Sequence, residues 1–295
     1  YGFGLFLTGA SWLYVSIHEY GFIAAPLAVI ATILFCLFLA AIFAFPFMLA
    51  AFLPSTSISL MLGLPAIWVI SEWVRSWIFT GFPWLYAGYS HTETWLNGWA
   101  PIGGVLSLSF FSALTAMFFL WLVQGMEQRR STLSLSVILM VLTISGYLLQ
   151  QVNWTKDIGK PLTVALIQPN VAQNEKWSVE KRRTILTQLA AQTEAYWGHN
   201  IIIWPEAAVP STPKRIPVFM QNLERKANDS GSTLLTGIIT QDGEQGRYYN
   251  SVLAIGDQSG QYHKTRLVPF GEYVPLESLL RGLIQFFDLP MSSLS

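Results

Sequence analysis

The chain has 295 residues, of which 52% are hydrophobic and 12% charged, and its formal net charge at pH 7 is zero. Ordinary soluble domains carry roughly 25% charged residues, well above this average, and how the charge is distributed says more than the total. A zero balance leaves no basic excess to neutralise phosphates, which argues against a nucleic-acid partner.

Charge is also unevenly placed. Through Gln150 it is confined to Glu19, Glu72, Arg75, Glu93, Glu127, Arg129 and Arg130, and every Lys and Asp lies beyond. This predicts a membrane domain over residues 1–150, a linker over 151–161 and a water-soluble domain over 162–295. The chain opens at Tyr1 inside an apolar run and reaches Ser295 soon after Phe286-Phe287-Asp288-Leu289-Pro290, so an internal fragment is expected. No n-region with a cleavage site marks a signal peptide. The lone cysteine, Cys36, rules out disulfides and cysteine metal clusters and reads as a small buried hydrophobe.

About five apolar runs follow in chain order. Residues 3–17 form a short first run containing Gly4, Gly9 and Ser11, read as the end of a span. Residues 23–53 carry no charge and as one helix would reach roughly 45 Å, longer than a bilayer of roughly 30 Å needs. Pro26 and Pro46 are expected to break or tilt it, and Pro54 helps to end it. Residues 58–79, 105–123 and 133–149 complete the series. A single such run is ambiguous between buried helix and span; a succession of them predicts an α-helical polytopic membrane domain.

Arg129 and Arg130 are the paired basic residues of this half, so the positive-inside rule places them in the cytoplasm. The last run then returns the chain outward, and the soluble domain is extracytoplasmic. The turn at 54–57 is cytoplasmic by the same count, and the loops at 18–22 and 80–104 lie outside. The second of these loops is rich in aromatics, with Gly81-Phe82-Pro83-Trp84-Leu85-Tyr86 followed by Tyr89, Trp95 and Trp99. Such rings fit an interfacial belt, or else the wall of a lipid-accessible cleft. Glu72 and Arg75 share a helix face at i,i+3, which suits either an ion pair or a headgroup contact.

Beyond Asn153 strand and helix patterns alternate. Strands are predicted at 163–168, 200–204 and 233–239, and helices at 178–196 and 216–228. A hairpin at 249–255 and 261–265 turns around Gly256-Asp257-Gln258-Ser259-Gly260. That order predicts an α/β or layered αββα domain.

Two motifs carry candidate chemistry. Trp204-Pro205-Glu206 follows the apolar strand Ile201-Ile202-Ile203, where a carboxylate at a strand end suits a general base but equally a helix-start acid. Further on, Lys264 leaves a predicted strand and precedes the Pro/Gly loop Leu267-Val268-Pro269-Phe270-Gly271-Glu272. A lysine there suits oxyanion stabilisation, or simply a solvated strand surface.

Together these motifs resemble the nitrilase (carbon–nitrogen hydrolase) superfamily, and the resemblance runs through the soluble half. A nitrilase-like domain after several spans is narrower still and is similar to the apolipoprotein N-acyltransferase family. The matching features are Gly81-Phe82-Pro83-Trp84, Lys176-Trp177 and the segment from Leu267 to Glu272. The resemblance implies an αββα sandwich, incomplete at its C-terminal end, and catalytic roles for Glu206 as base, Lys264 as oxyanion stabiliser and Glu272 as supporting carboxylate. It places Trp84 and Trp177 near substrate. The implied reaction moves an acyl chain from a membrane phospholipid to the amine of a diacylglyceryl-cysteine on an apolipoprotein, through a cysteine thioester. It implies no metal or other cofactor, a monomer, and a multi-pass place in the bacterial inner membrane with the catalytic domain facing the periplasm. The family's nucleophilic cysteine is expected several tens of residues beyond the Pro290 region, so these residues alone are expected to be inert.

Two rivals remain. A membrane-anchored amidase hydrolysing a small amide would share Glu206 and Lys264, but the aromatic loop and the number of spans argue against it. A non-enzymatic polytopic protein with a binding domain would show charges converging at mid-membrane, as transporters do, whereas here they sit near one helix end.

Overall fold

The computed structural model describes residues 1–54, 56–123, 129–242, 246–268 and 272. The segments 125–128, 269–271 and 286–293 singled out above lie outside the described residues. The chain divides into two compact units, Tyr1–Asp157 and Ile158–Ser295.

In the first unit local chemistry breaks up the longest apolar runs. Helix α1 (Gly2–Ala10) stops at Ser11, a single turn α2 (Leu13–Val15) follows, and Ser16–Tyr20 closes as a π turn, so the first run is not one helix. Gly9 lies close to Leu85, whose side chain would have to shift to admit a Cβ there. Helix α3 (Ala25–Ala44) carries Pro26 in its first turn, where a missing N–H has no partner to lose. Pro26 therefore starts this helix instead of breaking it. Pro46 does end the α-helical stretch: from Phe45 to Phe52 the chain tightens into a 3₁₀ helix.

Helix α4 (Ser57–Arg75) begins on Thr56, whose hydroxyl accepts the Ser59 N–H at 3.2 Å. It ends four residues before the predicted Phe79, because Phe79, Thr80 and Gly81 turn to positive φ (48°, 72° and 92°). Helix α5 (Ala100–Val123) is interrupted at Gly104 (φ 65°), which puts regular helix after it, where the apolar pattern starts. Helix α6 (Arg129–Leu149) carries Arg129 and Arg130 at its start.

Phe6 and Ala10 of α1 pack with Cys36, Leu39 and Phe43 of α3, and Met61 of α4 packs with Leu114 and Phe118 of α5. Gly98 faces Gly146 of α6 so closely that a Cβ on Gly98 would run into the Gly146 carbonyl. Among the described residues two stretches, Ala25–Phe52 and Trp95–Val123, are long and apolar enough to cross a membrane by length and composition; Ser136–Leu149 is a shorter apolar helix.

The second unit is a five-stranded sheet in the order β1-β2-β3-β4-β5. Strand β1 (Val164–Leu166), short helix α7 (Gln173–Lys176), helix α8 (Val179–Thr193), β2 (Ile201–Ile203), α9 (Pro217–Ser230) and β3 (Thr233–Asp242) come first. Then β4 (Arg247–Gly256) and β5 (Gly260–His263) close the sheet. The first three strands are parallel and the last two antiparallel. Helices α8 and α9 supply the crossovers that parallel pairing requires. Ile185, Leu186 and Leu189 of α8 and Leu223 of α9 bury against Ile202, Leu234 and Ile238 of the sheet. The mixed sheet and its helices fit a nitrilase-like domain.

Candidate active site

The C-terminal end of β2 is built to hold one carboxylate. Trp204 is buried, its backbone N–H donating to the Leu235 carbonyl at 2.8 Å and its ring N–H to Thr193 Oγ1 at 2.9 Å. Pro205 and Glu206 then turn sharply, with Ala207 at φ 47°. Such backbone strain persists only where surrounding contacts hold it. Here β3 presses from below: a Cβ on Gly237 would lie 2.5 Å from the Ala207 nitrogen and 2.7 Å from Glu206 Cα. Lys176 Nζ donates to the Glu206 carbonyl at 3.2 Å and closes the turn from above.

The other groups come from the antiparallel edge. Lys264 follows β5 and extends the ladder, its N–H donating to the Asn250 carbonyl at 2.8 Å. Its Nζ donates to Glu206 Oε1 at 3.1 Å and to Glu272 Oε1 at 3.0 Å. Asn250, on β4, donates from Nδ2 to the same two oxygens, at 2.6 and 2.9 Å. The second oxygen of Glu272 accepts the Val268 N–H at 2.8 Å.

The two carboxylates are therefore unequal. Glu272 is buried with both oxygens engaged, whereas the Glu206 side chain is 66% exposed, and its Oε2 carries no hydrogen bond among the described residues. The first geometry holds a charge still; the second leaves an oxygen open to accept a proton. Lys264 Nζ has three hydrogens and among the described residues spends two on the carboxylates, which leaves one able to meet an oxyanion.

Burial pushes Glu206 upward, but hydrogen bonds from Lys264 and Asn250, with the charges of Lys264 and Lys176, hold its carboxyl below the usual range. Burial likewise lowers Lys264, yet its bonds to Glu272 and Glu206 and their charges raise it above an ordinary lysine. Lys176 is lowered by burial, with partial relief from the charge of Glu206.

A lowered carboxyl stabilises the fold above its unfolded pKa, and that contribution fades as pH falls through the folded value. Thermal unfolding followed between about pH 6 and pH 3 is expected to show stability declining below about pH 4.3, the unperturbed Glu value. Lys264→Met is expected to flatten that decline; equal slopes in both proteins would refute the Lys264–Glu206 coupling.

Glu206, Lys264 and Glu272 are thus brought together within one polar cluster. Trp177 follows α7 immediately after Lys176 and is half-buried in the same unit. Trp84 belongs to the first unit, where it is 53% exposed and lies against Phe82 and Trp12 at ring distances of 6.2 and 5.3 Å. Glu72 and Arg75 are both buried, and among the described ion pairs none joins them. Sequence reasoning missed Asn250 and quoted Lys176 only as part of a motif. The available signal for Asn250 was a polar side chain in a β-rich run, a residue type that strands disfavour.

Comparison with known proteins supplies a family context. Residues 1–118 match the family described as apolipoprotein N-acyltransferase N-terminal domain, and residues 163–293 match carbon-nitrogen hydrolase. The apolipoprotein N-acyltransferase of Azotobacter vinelandii is 43% identical over 305 residues, covering 99% of this chain and 58% of that protein. The protein of the same name from Coxiella burnetii is 36% identical, covering 100% of the chain and 61% of its own length. That from Pseudomonas syringae pv. tomato is 41% identical, covering 99% and 59%. The chain thus spans about three-fifths of the length of these curated relatives.

Proposed function

We propose that this chain, which belongs to the apolipoprotein N-acyltransferase family, carries the base and oxyanion site of an enzyme that transfers a fatty acyl chain from a membrane phospholipid to an apolipoprotein. The observation that supports this reading most directly is the inequality of the two carboxylates around Lys264: one is closed and fixed, one open. The acceptor is the α-amine of the diacylglyceryl-cysteine at the lipoprotein's N-terminus.

Glu206 takes the proton of a cysteine thiol, and the thiolate attacks the ester carbonyl carbon of the phospholipid. Lys264 stabilises the resulting oxyanion. As the tetrahedral adduct collapses, the lysophospholipid oxygen leaves with the proton held on Glu206, and the acyl chain remains as a thioester. In the second half the acceptor amine attacks, Glu206 receives its proton, the thiolate departs, and an amide forms. Two half-reactions allow two bulky lipids to be handled in turn. Glu272 holds Lys264 in place, and Trp84 and Trp177 contact the lipid chains.

The thiol is not Cys36, which is fully buried in α3 and donates to the Phe6 carbonyl. We place the nucleophile on the part of the relatives' length that this chain does not span. The test uses the full-length parent enzyme with phospholipid labelled in its acyl chain, a diacylated lipopeptide and, separately, small aliphatic amides. Labelled triacylated peptide formed by way of a labelled enzyme is expected. Hydrolysis of the amides with no acyl transfer would overturn the reading in favour of an anchored amidase.

The five apolar runs of residues 1–150 are placed in the bacterial inner membrane, with the enzyme a monomer and residues 162–295 in the periplasm. Arg129 and Arg130 support this orientation, and α6, whose apolar part is Ser136–Leu149, is the helix proposed to carry the chain outward. A reporter active only in the cytoplasm, fused at Asn153, is expected to be silent; a strong signal would reverse the topology.

A further inference from the structure

Helix α4 buries two ionisable side chains that the proposed reaction does not use. Glu72 and Arg75 are each 1% exposed. An unpaired charge in such a setting is costly, so what they bond to indicates why they are there. Nearly all their partners lie on the short loop that follows the helix. Glu72 Oε1 accepts the Ala87 backbone N–H at 2.8 Å and the Trp68 ring N–H at 2.9 Å, while the Glu72 carbonyl accepts the Tyr86 hydroxyl at 2.8 Å. Arg75 Nη1 donates to the Trp84 carbonyl at 2.7 Å, and the Arg75 carbonyl accepts the Phe82 N–H at 2.8 Å. The guanidinium lies between the rings of Phe6 and Tyr86, 4.9 Å from each centroid.

The loop held in this way is strained. Leu85, within it, sits at positive φ without being glycine, as do Phe79 and Thr80 in the turn that leads into it. Side chains of this kind do not keep such conformations unaided. From this clamped segment Trp84 projects half-exposed, against Phe82 and Trp12.

We propose that Glu72 and Arg75 are positioning residues that clamp the strained 82–87 loop and so hold Trp84 ready to meet a phospholipid acyl chain. The role of Trp84 rests on the acyl-transfer reading above; the clamp itself does not. At Glu72 the acceptor oxygen is what reaches the loop: among the described residues its carboxylate hydrogen bonds come from the neutral N–H groups of Ala87 and Trp68, while Arg75 acts on it only through longer-range attraction.

The test places the chain in phosphatidylethanolamine nanodiscs containing a lipid with a diazirine near its acyl ester. Hydrogen exchange of the 82–88 amides reports the clamp, and lipid photo-labelling of Trp84 reports the contact. Arg75→Met is expected to speed loop exchange roughly tenfold or more, as loss of a charge-assisted hydrogen bond implies, and to cut labelling by a similar factor. Glu72→Gln retains the acceptor oxygen and is expected to match the wild type in both readouts, whereas Glu72→Leu is expected to behave like Arg75→Met. Unchanged loop exchange in Arg75→Met would overturn the proposal. If that variant loosens α4 and α5 as well, the Gln and Leu variants at Glu72 decide the matter: equal exchange in those two would overturn the clamp. Trp84→Ala is expected to keep the loop protected and lose the labelling. Retained labelling of the loop in Trp84→Ala would remove Trp84 from the lipid contact and overturn that half of the proposal, leaving the exchange result to judge the clamp.

Discussion

Glu206→Gln in the full-length parent is expected to lower the rate of thioester formation by about 10²–10⁴-fold, the range that a positioned general base contributes. The variant isolates the base from the scaffold. A glutamine keeps an oxygen able to accept from Lys264 and Asn250, so the turn locked by Gly237 and Lys176 has no reason to move. What disappears is the open carboxylate oxygen proposed to take the thiol proton. A free thiol has a pKa near about 8.5 and is mostly protonated at neutral pH. A thiol-reactive alkyne probe and a single-turnover lipid assay, run side by side, separate loss of thiolate from loss of lipid binding. Acyl-enzyme accumulating at the parent rate in Glu206→Gln would remove Glu206 as the base.

Lys264→Met is expected to slow both half-reactions by about 10²–10³-fold, the usual cost of one oxyanion donor. Its neighbours give Lys264 a second proposed part, in forming the thiolate. Moving a proton from an ordinary thiol to a carboxyl held below about 4.3 is uphill by roughly 6 kcal/mol unless a cation stabilises the thiolate. Lys264 is positioned to be that cation as well as the oxyanion donor. Without it, the donor that Glu206 and Glu272 share among the described residues is the Asn250 amide, and two neighbouring carboxylates do not both ionise freely. The acid limb of the pH–rate profile is therefore expected to move to higher pH in Lys264→Met, while lipid binding persists. Because the proposed mechanism sets the two residues on one coordinate, the double variant with Glu206→Gln is expected to cost little more than the worse single variant. Full additivity of the two losses would separate their roles, and an unmoved acid limb would remove Lys264 from the electrostatics of Glu206.

Much of this protein was legible in its residues because the deciding physics is local. Charge sparse up to Gln150 and dense beyond it divides the chain into two compositions, and alternation of apolar strands with polar helices is visible without any contact map. Gly256 to Gly260 is legible as the turn of the β4–β5 hairpin, with Gly256 at φ 125°. Glu206 and Lys264 were readable because each ends or follows a strand, where a sheet presents its functional groups. Partnership was not readable. Lys264 and Asn250 reach Glu206 across 58 and 44 residues, and no periodicity records which strand edges meet. Asn250 and Lys176 acquire their roles only when β4 and α7 converge on the β2 turn. Proline showed the limit even within a helix: Pro26 opens α3 and Pro46 closes it, since the effect of a missing N–H depends on which turn the ring occupies. Glu72 and Arg75 have the spacing of an ion pair, yet the fold directs them to the backbone of a strained loop, because that is where buried N–H and C=O groups need partners.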